Sequence, residues 1–316
     1  MQGIRKTLNG TMDRVVGYYL KNYKKMVFIP IAFIIFFAAS IGYYYHVHGE
    51  LVNEDISLAG GISLTLNTNI SISPNLLAAN LSSALGTPVS ISVLHSQFSN
   101  AIAGYSMTAG IKVNATALTN AVATAFGIKM TAANSNVDYV SSQLAQGSLY
   151  DSLMLLGVAF VLVAVVSLFY FRNPSQAFSN VISIVSDIIN VVGVLDILGI
   201  SFSLASIAGI LMIMGYSADR NIILATNILK RSEASMKYRL IHTIKTSLTM
   251  DAAALITFIV LFFGTTNTTI QNIAIILIFG VIFDDFTVWI LNGSVQLSGI
   301  GYEEEEAPKT GPAKIV

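Results

Sequence analysis

Six long apolar stretches divide this sequence, and each is long enough to cross a bilayer as a helix, which takes about 20 residues. The predicted spans are 26–46, 149–171, 177–199, 202–229, 245–264 and 270–292. The last five follow one another closely, so residues 149–293 are predicted to form a five-span bundle. The pattern is typical of a polytopic α-helical membrane protein.

The region between the first two spans, 47–148, has a different pattern, with short apolar runs among many Ser, Thr and Asn residues. Alternating positions predict strands, while Pro74 and Gly127 mark a helix start and a helix end. The predicted elements are strand 62–68, helix 74–85, strands 89–95 and 104–113, helix 114–127 and strand 128–131. This βαββαβ order is that of a ferredoxin-like domain.

Basic residues indicate which side of the membrane each segment faces. Lys and Arg cluster before the first span and between the fourth and fifth spans, and such clusters face the cytoplasm. They are Arg5, Lys6, Arg14, Lys21, Lys24 and Lys25, then Lys230, Arg231, Lys237, Arg239 and Lys245. We therefore expect a multi-pass protein of the cell membrane, with a cytoplasmic N-terminal segment over 1–25 and residues 47–148 outside. The acidic tail over 294–316 is expected to be cytoplasmic and disordered.

The amino-acid composition excludes several classes of function. The chain is 54% hydrophobic and only 11% charged, with 17 basic and 17 acidic residues and a mean hydropathy of +0.69. Without net charge or a basic block, nucleic acid is an unsuitable partner. The absence of cysteine excludes disulfides and thiol ligands. His46 and His48 have no accompanying carboxylate set, so we assign them to the membrane interface and predict neither a metal site nor a cofactor.

The outer region is poor in charge and rich in hydroxyls and amides, which stay solvated in strong acid. We therefore predict that it faces an acidic exterior. Asn69, Asn80 and Asn114 each stand in an N-x-S/T frame, which permits glycosylation, although chance in such a composition explains them equally well.

The fourth span carries the strongest functional signal, because polar residues interrupt it near its middle: Gly215, Tyr216, Ser217, Asp219, Arg220 and Asn221. A charge at that depth costs roughly 2.5–3.5 kcal/mol, so such residues face a protein interior, a wet cavity or a partner. Counting about 1.5 Å per residue places carboxylates of the neighbouring spans at a similar level, namely Asp251, Asp284 and Asp285. Asp187 is central in the third span, and Asp196 lies near its outer end.

This predicted layer of charged residues within the membrane has two interpretations. One arginine does not neutralise four carboxylates, so some of them must be protonated or wet, and a carboxyl that can hold a proton beside a cation is what a proton relay requires. The alternative is a static network that sets helix register. Glycine residues in these spans, Gly209, Gly215 and Gly280, predict close helix packing.

The layout of one span, an outer domain of about a hundred residues and five further spans resembles SecF, the smaller half of the SecD/SecF protein-export family, in its archaeal form. It also resembles half of a resistance-nodulation-division (RND) transporter. Three segments and one glycine pair carry the likeness: Gly215-Tyr216-Ser217, His242–Met250 (HTIKTSLTM), Phe279–Leu297 and Gly60-Gly61.

The chain departs from the bacterial pattern of that family at three positions. Arg220 stands where the proton-linked Asp is found, and the nearest carboxylate, Asp219, comes one residue earlier. His242 occupies the position of a fifth-span arginine, and Ser57 stands at the Asp of the motif that ends in Gly60-Gly61. The resemblance therefore does not transfer the bacterial proton pathway residue by residue.

The resemblance implies a non-enzymatic subunit that pairs with SecD, associates with a SecYE-type channel and acts on the translocating polypeptide, with coupling to the proton gradient through intramembrane charges. It gives His242 a coupling role, while the sequence alone favours an interfacial histidine. The alternative is a stand-alone RND-like exporter of small molecules or lipids. A purely structural subunit also fits. An intramembrane aspartyl protease is disfavoured, because the Gly-x-Gly-Asp motif is absent.

Overall fold

A computed structural model describes residues 2–95, 101–110, 113–171, 174–230, 235–265 and 267–302. Its helices are α1 Gln2–Met26, α2 Phe28–His48, α3 Ile56–Ala59, α4 Pro74–Leu85, α5 Ala115–Phe126, α6 Ser142–Phe171, α7 Pro174–Leu198, α8 Leu204–Ala225, α9 Met236–Phe263, α10 Thr268–Phe286 and α11 Gly293–Gly299. Two π-helical segments, Thr226–Lys230 and Thr287–Asn292, prolong α8 and α10. The strands are β1 Gly61–Asn67, β2 Val89–His95, β3 Ile102–Ala109 and β4 Ser135–Val140.

Six of these helices are long and apolar enough to cross a membrane, within the ranges that the structure describes. They are α2, α6, α7, α8, α9 and α10, each overlapping one predicted span, so the expectation of six spans is confirmed by length and composition. Helices α6 and α9 start earlier than predicted, at Ser142 and Met236 rather than 149 and 245. The apolar stretch of the sequence does not show where these two helices start, because their first turns contain many polar residues.

Helix α1 was missed by the sequence analysis, which treated 1–25 only as a cytoplasmic segment ahead of the first span. Val16, Tyr19, Leu20 and Tyr23 form its buried face and pack against one end of the bundle, including Leu224. Their helical spacing is the signal that a search for membrane spans overlooks, because the remaining positions are polar.

The C-terminal segment is ordered further than expected. Helix α11 continues α10 beyond residue 293, and Gln296 and Leu297 are buried. The predicted disorder is therefore wrong for 294–299. Residues 303–316, with the acidic run Glu303–Glu306, lie outside the described residues, as does Arg231 of the basic cluster between the fourth and fifth spans.

The region after α2 contains a four-stranded antiparallel sheet with strand order β2-β3-β1-β4. Helices α4 and α5 cover one face of it, where Leu64, Leu66, Tyr105 and Met107 form a core with Leu118. Pro74 opens α4, and the Asn114 side chain caps α5 by accepting the Thr116 N–H at 3.2 Å. Asn69, Asn80 and Asn114 are all exposed, and the Asn114 side chain is also engaged in this cap.

The last strand does not lie where the sequence analysis placed it. Residues 128–131 are not a strand, because the chain turns at Thr131, whose N–H bonds the Asn134 side chain at 2.8 Å. Strand β4 follows at Ser135–Val140 and leaves Val137 and Tyr139 exposed. Polar and apolar residues alternate from Asn136 to Tyr139, so the signal of this strand is present in the sequence and was overlooked. Strand β3 ends at Ala109, short of the predicted 113, and residues 111–112 are not described.

Two of the three glycines that were expected to allow close helix packing do so. A Cβ at Gly280 would overlap Ile213 Cδ1, and one at Gly209 would lie 3.0 Å from Ile276 Cγ2. Gly215 does not pack against another helix of this chain, because it is exposed and a Cβ there would meet nothing within 4 Å.

Candidate functional site

Arg220 lies at the centre of a buried charge network that joins α8, α9 and α10. Its Nη1 donates to Asp284 Oδ2 at 2.7 Å, and its Nη2 contacts Asp285 Oδ1 and lies 3.1 Å from Asp251 Oδ2. The side chains of Arg220 and Asp251 are 3% and 2% exposed, Asp284 is fully buried, and Asp285 is 24% exposed. Three carboxylates therefore share one guanidinium, and two of the three are buried with it.

Tyr216 and Ser247 orient this network on the α9 side. The Tyr216 hydroxyl donates to Asp251 Oδ1 at 2.5 Å, and its ring centroid lies 5.6 Å from the Arg220 guanidinium carbon, within cation–π range. Ser247 Oγ donates to Asp251 Oδ2 at 3.3 Å. Asp251 is thus fixed by one cation and two hydroxyls.

A fourth carboxylate, Asp187 of α7, lies on the other side of the network, where two hydroxyl groups donate to it. Ser217 Oγ donates to its Oδ2 at 2.9 Å, and Thr287 Oγ1 donates to its Oδ1 at 2.6 Å. Thr287 Oγ1 also lies 3.2 Å from the Asp284 main-chain oxygen, which links the two buried aspartates. The adjacent residues Tyr216 and Ser217 therefore serve opposite sides of one network.

A neutral polar chain continues from Asp187 along the interior. Ser217 connects to Asn221 at 3.4 Å, Asn221 accepts from Asn292, and Asn292 accepts from Ser179 Oγ at 2.7 Å. The sequence analysis missed this chain. Its signal was the helical spacing of polar residues along one face of α7, from Gln176 through Ser179, Asn180 and Ser183 to Asp187 and Asn190.

Some buried polar atoms of the site have no hydrogen-bond partner among the described residues, notably Asp284 Oδ1 and Arg220 Nε. Buried polar atoms are normally satisfied, so water or an added proton has a place here. Beside Arg220 and Asp251 lies a cavity of about 10 Å³, also lined by Thr246 and Ser247. That volume suits one water molecule.

Three residues that the sequence analysis placed in or near the site lie outside the network. Asp219 is exposed on the outer face of α8, because consecutive helix residues point about 100° apart and Arg220 faces inward. His242 is exposed on α9, nine residues before Asp251 and so about 13 Å away along the axis. Asp196 is buried near the end of α7, where its Oδ2 has no partner among the described residues.

The Gly60-Gly61 motif lies at the junction between the sheet and the bundle. Gly60 has a positive φ of 78°, and a Cβ on Gly61 would lie 2.5 Å from the Ala109 carbonyl oxygen. Ser57, three residues before Gly60, accepts the Leu204 N–H at 3.1 Å and so caps the start of α8. The main chain pairs there too, with Asp55 N–H donating to Phe202 O at 2.8 Å. The helix that carries Arg220 is thus tied to the sheet domain.

A sequence model of the family described as "Protein export membrane protein SecD/SecF, C-terminal" matches residues 120–298. This match covers more than half of the chain, from α5 to α11, and includes every residue of the charge network. The chain belongs to the SecD/SecF family.

Relatives in this family are similar over most of their length. The chain is 31% identical to the protein-export membrane protein SecF of Pyrococcus furiosus, over 86% of this chain and 89% of that protein. It is 29% identical to the SecF of Thermococcus gammatolerans, over 86% of this chain and 84% of that protein.

A solved structure shares the SecD/SecF fold. SecDF of Thermus thermophilus, described as a translocon-associated membrane protein, matches 90% of this chain with a TM-score of 0.68 and 16% identity. The chain spans 38% of that protein, so the likeness shows the fold of one part of it.

Proposed function

We propose that this chain is an auxiliary subunit of the Sec protein-translocation machinery, which pairs with SecD and promotes export of proteins across the cell membrane. The observation that carries the proposal is its similarity, over most of both chains, to proteins named protein-export membrane protein SecF. A non-enzymatic role and association with a SecYE-type channel and its translocating polypeptide belong to the same proposal.

The proposed topology has both termini in the cytoplasm and the sheet domain outside. The basic residues before α2 and between α8 and α9 support this orientation through the positive-inside rule. We propose a ferredoxin-like fold for the domain, supported by its βαββαβ order and its antiparallel sheet.

The exposed position of Asp219 supports a partner protein on the face of α8 that points away from the bundle. The residue is exposed within a membrane-spanning helix, where an uncovered charge is costly. Met212 and Gly215 are exposed at helical spacing from it and form one face with Asp219. We propose that SecD covers this face and supplies a polar or cationic group to Asp219.

The buried network supports coupling to an ion gradient. Binding of a proton to a carboxyl that faces Arg220 would weaken its ion pair and let α8 shift against α10. Because Ser57 and Phe202 join the start of α8 to the sheet domain, such a shift would reach the outer side. Asp187, Asp251, Asp284 and Asp285 with Arg220 are the proposed relay, and a static network is the competing interpretation.

The partner assignment is tested by purifying the tagged chain from its native membrane in mild detergent and identifying the proteins that co-purify. We expect a stoichiometric SecD and channel subunits. Self-association alone, without any translocation component, would contradict the proposal and favour a stand-alone RND-like exporter.

The proposed contact face is tested in the same purification with Asp219→Leu. We expect recovery of SecD to fall, because the polar contact across the interface is lost. Asp151→Leu is the matched control, since Asp151 is also an exposed aspartate of a membrane helix but lies on α6. Equal recovery with both variants would show that α8 is not the contact face.

Coupling is tested by Asp251→Asn and Arg220→Gln, made singly, in vesicles where export is measured with and without a proton gradient. We expect the gradient-dependent part of export to be lost while both variants still bind SecD. Asp151→Asn is the control. Unchanged export and unchanged gradient dependence would leave the network a structural role only.

A further inference from the structure

The face of the sheet opposite α4 and α5 carries hydroxyl and amide side chains from all four strands. The strand registers align them in two rows that cross the sheet. One row is Ser90, Thr108, Ser63 and Asp138, and the other is Ser92, Ser106, Thr65 and Asn136. With strands about 4.8 Å apart, each row extends about 14 Å, the length of roughly four extended residues.

This face forms one wall of a chamber of about 440 Å³. The opposite wall comes from the ends of the membrane helices and includes Ser201, Asn267 and Asn272. The six hydroxyls of the two rows make no side-chain hydrogen bonds within the described part of the chain. Their bonding capacity is therefore directed into the chamber.

The lining chemistry excludes several ligand classes. Among the described lining residues only Ile56 and Leu94 are apolar, so a lipid chain or the C–H faces of a sugar would find little apolar surface. The described lining contains carboxylates, at Glu54, Asp55 and Asp138, and no lysine or arginine, which disfavours anions. A neutral or cationic ligand rich in hydrogen-bonding groups remains, and an uncharged peptide main chain is of this kind.

We propose that this chamber binds a short extended stretch of polypeptide main chain. Peptide groups present a donor and an acceptor at nearly every residue, and hydroxyls serve as both, so such a wall binds main chain with little regard to side chains. The proposal rests on the proposed export function, because it names where a translocating chain would contact this subunit.

The absence of cysteine allows a direct test on the purified full chain in lipid nanodiscs. A benzophenone maleimide is attached at Ser92→Cys, in the second row, and at the control Ser83→Cys, which is exposed on α4 on the other side of the sheet. The probes are a short fluorescent peptide of Ala, Ser and Gln, the same peptide with N-methylated main chain, and a version rich in Glu.

We expect cross-linking of the neutral peptide to be at least about fivefold higher at Ser92→Cys than at Ser83→Cys, the ratio that one net hydrogen bond supplies. N-methylation and Glu substitution should each remove the excess. Equal yields at the two sites, an unchanged yield with the N-methylated peptide, or full competition by maltotriose would each overturn the proposal. Ser106→Cys repeats the measurement if Ser92→Cys is unstable.

This outcome is independent of the partner test. If the peptide is not cross-linked but SecD still co-purifies, the proposal of a peptide-binding chamber is overturned and the export assignment stays intact. If the peptide is cross-linked but no translocation component co-purifies, the chamber still binds main chain, and the protein has a function other than export.

Discussion

Arg220 has a role that a lysine could not fill, because its planar guanidinium reaches three carboxylates on two other helices. Buried ion pairs contribute little net stability when intact, but removal of one partner leaves an uncompensated charge. The three carboxylates also differ in exposure, since Asp285 is 24% exposed at the surface of the bundle while Asp284 is fully buried. The cost of a substitution therefore depends on which member of the network is changed.

We predict that Arg220→Gln lowers the free energy of unfolding by about 3–5 kcal/mol, because Asp251 and Asp284 lose their cation. Asp285→Asn should cost no more than about 1 kcal/mol, because Asp285 is the least buried of the three carboxylates and Arg220 keeps two partners. Fluorescence of Trp289, the single tryptophan and a wall of the small cavity beside Arg220, reports unfolding in denaturant. Equal losses for the two variants would contradict this account of the network.

At the scale of elements, α8 and α10 approach each other closely at two glycine residues, which have no side chain to keep the helices apart. The side chain of Ile213 in α8 packs against Gly280 of α10, and the side chain of Ile276 in α10 packs against Gly209 of α8. This contact lies next to the charge network and sets the separation of the helices that carry Arg220 and Asp284. Beyond it, both helices change to π-helical turns, at Thr226–Lys230 and Thr287–Asn292, and Thr287 begins the second of these at the Asp187 side of the site.

We predict that Gly280→Ala destabilises the purified chain by about 1–3 kcal/mol, because the added methyl group overlaps Ile213. Gly215→Ala is the matched control and should have little effect, since its Cβ would face open space. The midpoint of thermal unfolding in detergent measures both. Combining Gly280→Ala with Ile213→Ala should cost less than the sum of the single changes, and strict additivity would show that the overlap is not the cause.

For the whole molecule, the important contact is the junction between the sheet domain and the start of α8. Asn53, Asp55 and Ser57 hold the segment around Phe202 through main-chain and side-chain bonds. Burial raises the pKa of the Asp55 carboxyl, and burial with the nearby Glu50 raises the pKa of Glu54. The docked junction therefore favours the protonated form of both carboxyls.

We predict that docking is tighter in acid. Because the pKa values are raised when the junction is docked, the stabilisation is fully present below the ordinary carboxyl range, about 4, and is lost as pH rises through the raised values. Hydrogen exchange of the Asp55 and Phe202 amides, corrected for intrinsic rates, should show more protection at low pH. The variant Asp55→Asn with Glu54→Gln should remove this dependence, and an unchanged dependence would assign it to other groups.

The sequence alone determined the six apolar helices, the polar domain after the first of them and the approximate depth of the charges. Helix rise is fixed by backbone geometry, so counting residues along the spans is enough to bring Arg220, Asp251, Asp284 and Asp285 to one level. Most elements of the sheet domain followed from alternation and from Pro74 and Gly127. These features depend on local chemistry, which is written along the chain.

Only the tertiary structure decided which of these groups face one another. Whether Asp219 or Arg220 points inward depends on the rotation of α8, which packing against Ile276 and its neighbours sets. The same holds for Asp187, whose partners come from α8 and α10, and for Ser57, which caps a helix 147 residues further along the chain. Helix α1 and strand β4 were missed or misplaced although both carry a local pattern, which is helical spacing in α1 and alternation in β4. Their contacts with distant elements in the tertiary structure show that these patterns are used.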